Sequence, residues 1–172
     1  LDFLWWSLPF VIVSGFFLFF FRDPPRHPPR ARGLVLAPAD GRVLVAGEVI
    51  SGDPPEGRWW QVSIFLSPID VHINRVPIGG VVTHIHRRSG KWFAAYSSEA
   101  SSSNERTEVA FRQNDVVIVC RQIVGVLARR IVCRVSVGHE VQAGDRFGIM
   151  KFGSRIDLFI PRTARIAVIP GQ

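Results

Sequence analysis

The hydrophobic and polar positions divide the chain into two unlike parts. Residues 3–21 form a run without a single charged side chain, and a helix of nineteen residues is about 28 Å long at 1.5 Å per residue. That length approaches the roughly 30 Å hydrocarbon core of a bilayer. The run therefore predicts a membrane-anchoring transmembrane helix over residues 1–21, with a buried core helix as the alternative.

After Gly33 the pattern changes to short runs rich in β-branched and aromatic residues, separated by turn-forming residues. This spacing is typical of sandwiches and barrels of antiparallel sheets. We therefore expect residues 34–172 to form a mainly β domain, α+β at most, that is sandwich- or barrel-like, with Ser97–Arg106 as a short helix or ordered loop. The predicted strands are Arg42–Ile50, Trp59–Leu66, Gly80–His86, Val109–Arg112, Val116–Gln122, Ile131–Val137, Ile156–Ile160 and Arg165–Ile169.

A segment rich in proline and arginine, residues 22–33, joins these two parts. Its prolines predict an extended spacer. Its arginines are Arg22, Arg26, Arg30 and Arg32. They mark the cytoplasmic flank of a spanning helix and can bind anionic lipid headgroups, although a simple stop-transfer flank is an equal alternative. Both interpretations place the domain at the cell membrane, on its cytoplasmic face.

Composition narrows the classes of protein further. Hydrophobic residues make up 47% of the chain and charged residues 20%, which excludes intrinsic disorder. The net charge of +7 predicts an anionic partner, and no nucleic-acid-binding motif accompanies it, so a membrane surface is favoured and nucleic acid is not expected. Cys120 and Cys133 are too few for a disulfide framework or a four-ligand zinc site. His84 and His86 share one face of a predicted strand without a third ligand, so no metal site is expected.

Four short motifs carry residues that could perform chemistry. They are Asp40 in PADG, His72 in SPIDVHINRVP, the triplet Asn104-Glu105-Arg106, and Gly153-Ser154 in KFGSRID. Each has an ordinary structural interpretation as well: a turn former, a packed loop residue, or a bend before a strand. The G-x-S-x-G elbow of serine hydrolases is absent.

Taken together and in this order, the motifs resemble the phosphatidylserine decarboxylase family in its short, compact form. The matching stretches extend from about residue 17 to residue 161. They are FFRDPPR, LVLAPADGRV, LSPIDVHINRVP, SSNERTE and ARRIVCRVSVGHEVQAGDRFGIMKFGSRIDLFIP. The most specific of them is KFGSRID, near the C-terminus and ahead of a predicted strand.

The resemblance implies a proenzyme that cleaves itself between Gly153 and Ser154. The products would be a chain of residues 1–153 and a small chain of residues 154–172, whose first residue is a pyruvoyl group made from Ser154. The family uses this covalent pyruvate through a Schiff base, and it converts phosphatidylserine in the membrane to phosphatidylethanolamine and CO2 in phospholipid biosynthesis. The partners implied are that lipid and the protein's own small chain.

The resemblance also assigns roles to two further residues. His72 would be the general acid and base, and Asp40 would orient a catalytic histidine or balance its charge. Longer members of the family carry a second histidine three residues after the first, but this chain has Arg75 there, and arginine is a poor base. Either His72 serves both cleavage and decarboxylation, or His84 or His86 serves one of them.

Two other classes of function remain as alternatives. The first is a membrane-anchored serine hydrolase that uses Ser154, His72 and Asp40 without cleaving its own backbone. The second is a non-catalytic β module that binds anionic lipid. In every case the edge strands of a small β domain make a homodimer plausible.

Overall fold

The computed structural model describes residues 2–29, 31, 33–50, 53–127 and 130–172, and of residues 2–5 it describes the backbone alone. Arg30 and Arg32 of the predicted linker therefore lie outside the described residues. Two helices and ten strands follow one another along the chain. They are α1 (Asp2–Phe20), β1 (Arg42–Glu48), β2 (Trp59–Leu66), β3 (Ile73–Arg75), β4 (Gly80–Arg88), α2 (Ala100–Ser103), β5 (Arg106–Gln113), β6 (Val116–Ile123), β7 (Val132–Cys133), β8 (Glu140–Val141), β9 (Arg146–Ile149) and β10 (Ser154–Pro161).

The strands form two sheets in which every neighbouring pair is antiparallel. The larger sheet has the order β1-β2-β10-β6-β5-β4-β8, and the smaller one has the order β3-β9-β7. The last strand of the chain, β10, therefore lies inside the larger sheet between β2 and β6. Both backbone edges of β10 are hydrogen bonded, as they are for every interior strand of this sheet.

One hydrophobic core fills the space between the two sheets. Alternate residues of β10 and β6, such as Ile156, Leu158 and Cys120, point into it, and Phe147 of β9 meets them from the smaller sheet. The opposite face of β10 carries Arg155 and Asp157, because successive side chains of a strand alternate between its faces. Residue 154 thus faces the core, and residue 155 faces the other side of the sheet.

The expectation of a mainly β, antiparallel domain behind an N-terminal helix is confirmed. β2 has the predicted bounds. β6 ends one residue later than predicted, and β10 begins two residues earlier and ends one residue later. The predicted strand Arg165–Ile169 is wrong. Its alternating side chains, including Ile166 and Val168, pack against the core, but the backbone finds no neighbouring strand there, and the bonds to Val43 come only from residues 171 and 172.

The shortest strands were not predicted. β3, β8 and β9 have two to four residues each, which is too short for a local alternation of polar and apolar positions. Of the predicted strand Ile131–Val137, only Val132–Cys133 pairs with a neighbour. The predicted helix or ordered loop at Ser97–Arg106 contains α2.

The transmembrane span expected for residues 3–21 is not found in the described part of the chain. Within the described part of the chain, no helix has the length and apolar character needed to cross a bilayer.

The segment after α1 is bound to the β domain by ion pairs. Asp23 accepts one hydrogen bond from Arg75 at 2.6 Å and pairs with Arg146 at 2.5 Å, and Arg26 pairs with Asp40. Arg22 donates to the carbonyl oxygens of Phe19, in the last turn of α1, and of Ile69. These contacts fix where α1 ends relative to the two sheets.

Candidate active site

Ser154 is the first residue of β10 and faces the core. Only 1% of its surface is exposed, and the ladder with β2 places it opposite Leu66. Its hydroxyl oxygen is buried without a hydrogen-bond partner. Buried hydroxyls are nearly always hydrogen bonded, so this unpaired hydroxyl is an exception.

The two residues before Ser154 have left-handed backbone conformations. Phe152 has φ of 35° and Gly153 has φ of 68°. Glycine adopts this region without cost, but a phenylalanine there is uncommon and stores about 1–3 kcal/mol of strain. The strained turn therefore ends at the peptide bond between Gly153 and Ser154.

The carbonyl oxygen of Gly153 lies against the backbone of Gly125. A Cβ atom at Gly125 would be 1.9 Å from that oxygen, so only glycine leaves room for the carbonyl. Asn104 fixes the chain beside it by donating hydrogen bonds to the carbonyl oxygens of Phe93 and Val124, at 2.8 and 2.9 Å. Asn104, the first residue of the Asn104-Glu105-Arg106 motif, therefore holds the chain that lies against the turn before Ser154.

His72 is almost fully buried and is oriented by its own loop. The Asp70 carbonyl oxygen lies 2.9 Å from Nδ1, and since a carbonyl can only accept, Nδ1 carries the hydrogen. Nε2 is then the unprotonated nitrogen, and it has no hydrogen-bond partner. Burial lowers the pKa of His72 below its ordinary value of 6.5, against the opposing effect of the Asp70 contact. His72 is therefore a neutral imidazole with a free lone pair near pH 7.

Phe20, the last residue of α1, packs between His72 and the strained turn. Its ring centroid is 4.2 Å from that of His72 and 4.3 Å from that of Phe152, and none of its surface is exposed. The end of the apolar helix thus closes the region that holds both the unpaired imidazole and the turn before Ser154.

Asp40 is not brought to His72. Its carboxylate pairs with Arg26 and is 43% exposed, and the described contacts of His72 do not include it. Arg75, which stands at the position of the second histidine, is also engaged elsewhere. It donates to Asp23 and to the Gly144 carbonyl oxygen, so it holds the segment after α1 against the domain.

His84 and His86 lie far from this region. Both are exposed on β4, with ring centroids 6.2 Å apart. β4 is three strands away from β10 in the larger sheet, which at about 4.8 Å per strand is about 14 Å. A direct proton transfer from either histidine to residue 154 is excluded at that separation.

A buried ionic network holds the other face of β10. Arg155 donates to Asp157 at 2.6 Å and to the Ser63 hydroxyl at 3.0 Å, and Ser101 of α2 donates to the same Asp157 carboxylate. Arg155 and Asp157 are at most 2% exposed. The network anchors the residue that directly follows Ser154.

Comparison with known proteins gives the family. The model of the phosphatidylserine decarboxylase family matches residues 13–172. The chain belongs to the phosphatidylserine decarboxylase family. It is 41% identical to the phosphatidylserine decarboxylase proenzyme of Pelodictyon phaeoclathratiforme, over 98% of this chain and 81% of that protein. It is 44% identical to the proenzyme of Granulibacter bethesdensis, over 98% of this chain and 70% of that protein. It is 41% identical to the proenzyme of Mycolicibacterium smegmatis, over 98% of this chain and 74% of that protein.

Three residues at this candidate site were not predicted from the sequence of this phosphatidylserine decarboxylase family member. Phe20 and Gly125 are distant from Ser154 in the chain, and no local pattern marks either of them. Asp70 stands two residues before His72, and its carboxylate accepts hydrogen bonds from the Ser67 amide and hydroxyl. That spacing of serine and aspartate is a recognisable turn signal, so Asp70 could have been found.

Proposed function

We propose how the residues of this chain perform the activity of its family. That activity is the decarboxylation of phosphatidylserine by a pyruvoyl-dependent lyase, which is made as a proenzyme and belongs to phospholipid biosynthesis. The observation that supports our assignment is the buried, unpaired Ser154 hydroxyl directly after a left-handed Phe152-Gly153 turn.

The residues present fit a pyruvoyl group at position 154. A group made from serine needs a hydroxyl that is not held by another bond, a flexible residue before it and a firm hold after it. The hydroxyl of Ser154 has no hydrogen-bond partner. Gly153 is the flexible residue before it, and the network of Arg155 holds the chain after it. Once formed, the group supplies a carbonyl that accepts electrons, in the place of pyridoxal phosphate.

Self-cleavage begins in this proposal with the Ser154 hydroxyl. Its oxygen attacks the Gly153 carbonyl carbon, the C–N bond breaks, and an ester replaces the peptide bond. Removal of the proton on the Ser154 Cα then expels the Gly153 carboxylate and leaves a dehydroalanine. Hydrolysis of the corresponding imine releases ammonia. Gly125 contributes the space that the Gly153 carbonyl oxygen occupies before the attack.

His72 is the proton acceptor and donor in our proposal. Its neutral state and its free Nε2 suit it to take a proton, and no second histidine is available at Arg75 or within reach on β4. Because the Asp70 carbonyl orients the ring, Asp40 is not needed for that purpose. We retain Asp40 only as a residue that holds Arg26, and His72 then serves both self-cleavage and decarboxylation.

The new chain end at residue 154 is held by contacts that do not depend on the broken bond. Residue 154 begins β10, which is paired with β2 over its whole length and with β6 from Arg155 to Phe159. The buried Arg155–Asp157 pair fixes the next residue. The small chain of residues 154–172 therefore remains a strand of the larger sheet.

Membrane attachment is proposed for α1. Large apolar side chains such as Trp6, Phe10 and Leu18 are 75–78% exposed along the helix, and an apolar surface of this kind favours lipid over water. Its last residue, Phe20, contacts His72, so the helix would bring the lipid surface to the active site. The cytoplasmic face of the cell membrane and a homodimer remain our predictions.

Replacing Phe10 and Leu18 together by aspartate should release the protein from vesicles of phosphatidylserine and phosphatidylcholine. Burying one such side chain contributes about 1.5–3 kcal/mol, so binding should weaken by at least about 100-fold in a sedimentation assay. Ile169→Asp, at a residue that is 69% exposed outside the helix, is the matched control. Release of the wild-type protein by 1 M salt alone would contradict apolar attachment.

The proposed chemistry is tested on the wild-type protein by intact mass spectrometry and by CO2 release from phosphatidylserine. We expect two chains, with the small one lighter by one ammonia than a hydrolytic fragment beginning at Ser154. We also expect phosphatidylethanolamine as the lipid product. A small chain that begins with a free serine would show ordinary proteolysis and would contradict the self-cleavage mechanism.

A further inference from the structure

Two amide side chains, Asn74 and Gln122, are buried between the two sheets. Both are completely excluded from solvent, and Gln122 Nε2 donates a 2.8 Å hydrogen bond to Asn74 Oδ1. The amide of Gln122 crosses to the smaller sheet over Gly148, where a Cβ atom would be 2.5 Å from Nε2. This amide pair is therefore a polar link inside an otherwise apolar interface between the sheets.

The amide pair shares its surfaces with His72 and Ser154. Asn74 follows His72 by two residues in extended chain, and both are buried while the residue between them is less so, so the two side chains share a face. Gln122 is opposite Ile156 in the ladder of β6 and β10. Ile156 follows Ser154 by two residues, which makes Gln122 and Ser154 diagonal neighbours at about 7–8 Å.

The amide pair has unused hydrogen-bonding capacity. Asn74 Nδ2 and Gln122 Oε1 have no partner, and neither do His72 Nε2 and Ser154 Oγ. These are four of the six buried side-chain polar atoms without a partner in the described part of the chain. If both side-chain amides are rotated so that their oxygen and nitrogen atoms exchange places, the pair again has one free donor and one free acceptor. The unused hydrogen-bonding capacity therefore does not depend on the assigned amide orientations.

We propose that the amide pair is a recognition subsite for the headgroup of the lipid, an inference that rests on the proposed function. The free N–H donates to the α-carboxylate, and the free carbonyl oxygen accepts from the amine on the same carbon. An α-amino acid group matches this combination of one donor and one acceptor. A primary amine without a carboxylate, as in the product, engages only half of the subsite.

The variant Asn74→Asp tests headgroup recognition separately from the role of the amide pair in linking the two sheets. The aspartate keeps an oxygen for Gln122 Nε2, so the link between the sheets is retained, but the free N–H becomes a carboxylate oxygen. We expect self-cleavage as in the wild type, together with a rise in KM for phosphatidylserine in detergent micelles of about 10- to 100-fold. Inhibition by added phosphatidylethanolamine should not weaken, because the product's amine engages only the free carbonyl oxygen of the pair. Asn114→Asp, in the exposed turn between β5 and β6, makes the same chemical change away from the site.

An unchanged KM in cleaved Asn74→Asp overturns the proposal. If Asn74→Asp does not cleave, the KM of Gln122→Glu is measured in the same assay. In that variant Asn74 can donate to the new carboxylate, so the link between the sheets is retained. A raised KM in Gln122→Glu supports the subsite, and loss of cleavage in both variants assigns the amide pair to folding and overturns it. A wild-type protein that cleaves but leaves phosphatidylserine intact contradicts the proposed function instead, whatever the variants do.

Discussion

Ser154→Ala should yield a single uncleaved chain with no decarboxylase activity. The serine oxygen is the attacking atom in the proposed self-cleavage, and its Cα and Cβ become the carbons of the pyruvoyl group, so no neighbouring residue can replace it. Because the hydroxyl has no hydrogen-bond partner in the folded chain, its removal should change the free energy of unfolding by less than about 1 kcal/mol. A denaturing gel shows whether the chain is cleaved, CO2 release measures the decarboxylase activity, and a thermal melt reports the change in stability.

Ser97→Ala is the matched control for this variant. Ser97 also has a buried hydroxyl without a partner, but it is not next to the strained turn, and this variant should cleave and decarboxylate normally.

Ser154→Cys keeps a nucleophile that can still lead to a pyruvoyl group, so it should cleave slowly and keep some activity. Ser154→Thr would leave a bulkier ketone. An active, uncleaved Ser154→Ala chain would refute the assignment.

His72→Ala should abolish measurable decarboxylation and slow self-cleavage. General acid–base catalysis by one positioned side chain is worth about 10²- to 10⁴-fold in rate, and the described structure offers no other imidazole near Ser154. His84→Ala is the matched control, because it removes an exposed histidine about 14 Å away across the sheet. If His72→Ala works at the wild-type rate while His84→Ala does not, the catalytic assignment moves to β4.

The pH dependence of self-cleavage tests the same residue without a substitution. Burial lowers the pKa of His72 below 6.5, so the imidazole stays neutral as the pH falls through 6.5 and is protonated only below that. The rate should therefore be level down to about pH 6.5 and then fall as the proton acceptor is lost. The fold should weaken over the same acid range, because the unfolded chain binds that proton more readily. An inflection above pH 6.5 in the cleavage rate would point to a different base.

Much of the larger sheet was predictable from local sequence. β2 and β6 are eight-residue runs rich in β-branched or aromatic side chains and bounded by turn residues, and each run is long enough to be recognised as a strand. The smaller sheet was not predictable. Its strands have two to four residues and exist because neighbouring strands pair with them, whereas Arg165–Ile169 has a strand pattern and no neighbour to pair with.

The chemistry of the site divides in the same way. Gly153, Ser154 and His72 belong to short contiguous motifs whose residue types limit what they can do, so the sequence by itself predicted them as the candidate reactive residues and indicated the family, which the family model matches. The relation of Phe20 to His72, of Gly125 to the Gly153 carbonyl and of Gln122 to Asn74 depended on the tertiary structure. Each pair joins residues far apart in the chain, and only the packing of the two sheets and the end of α1 brings them within a few ångströms.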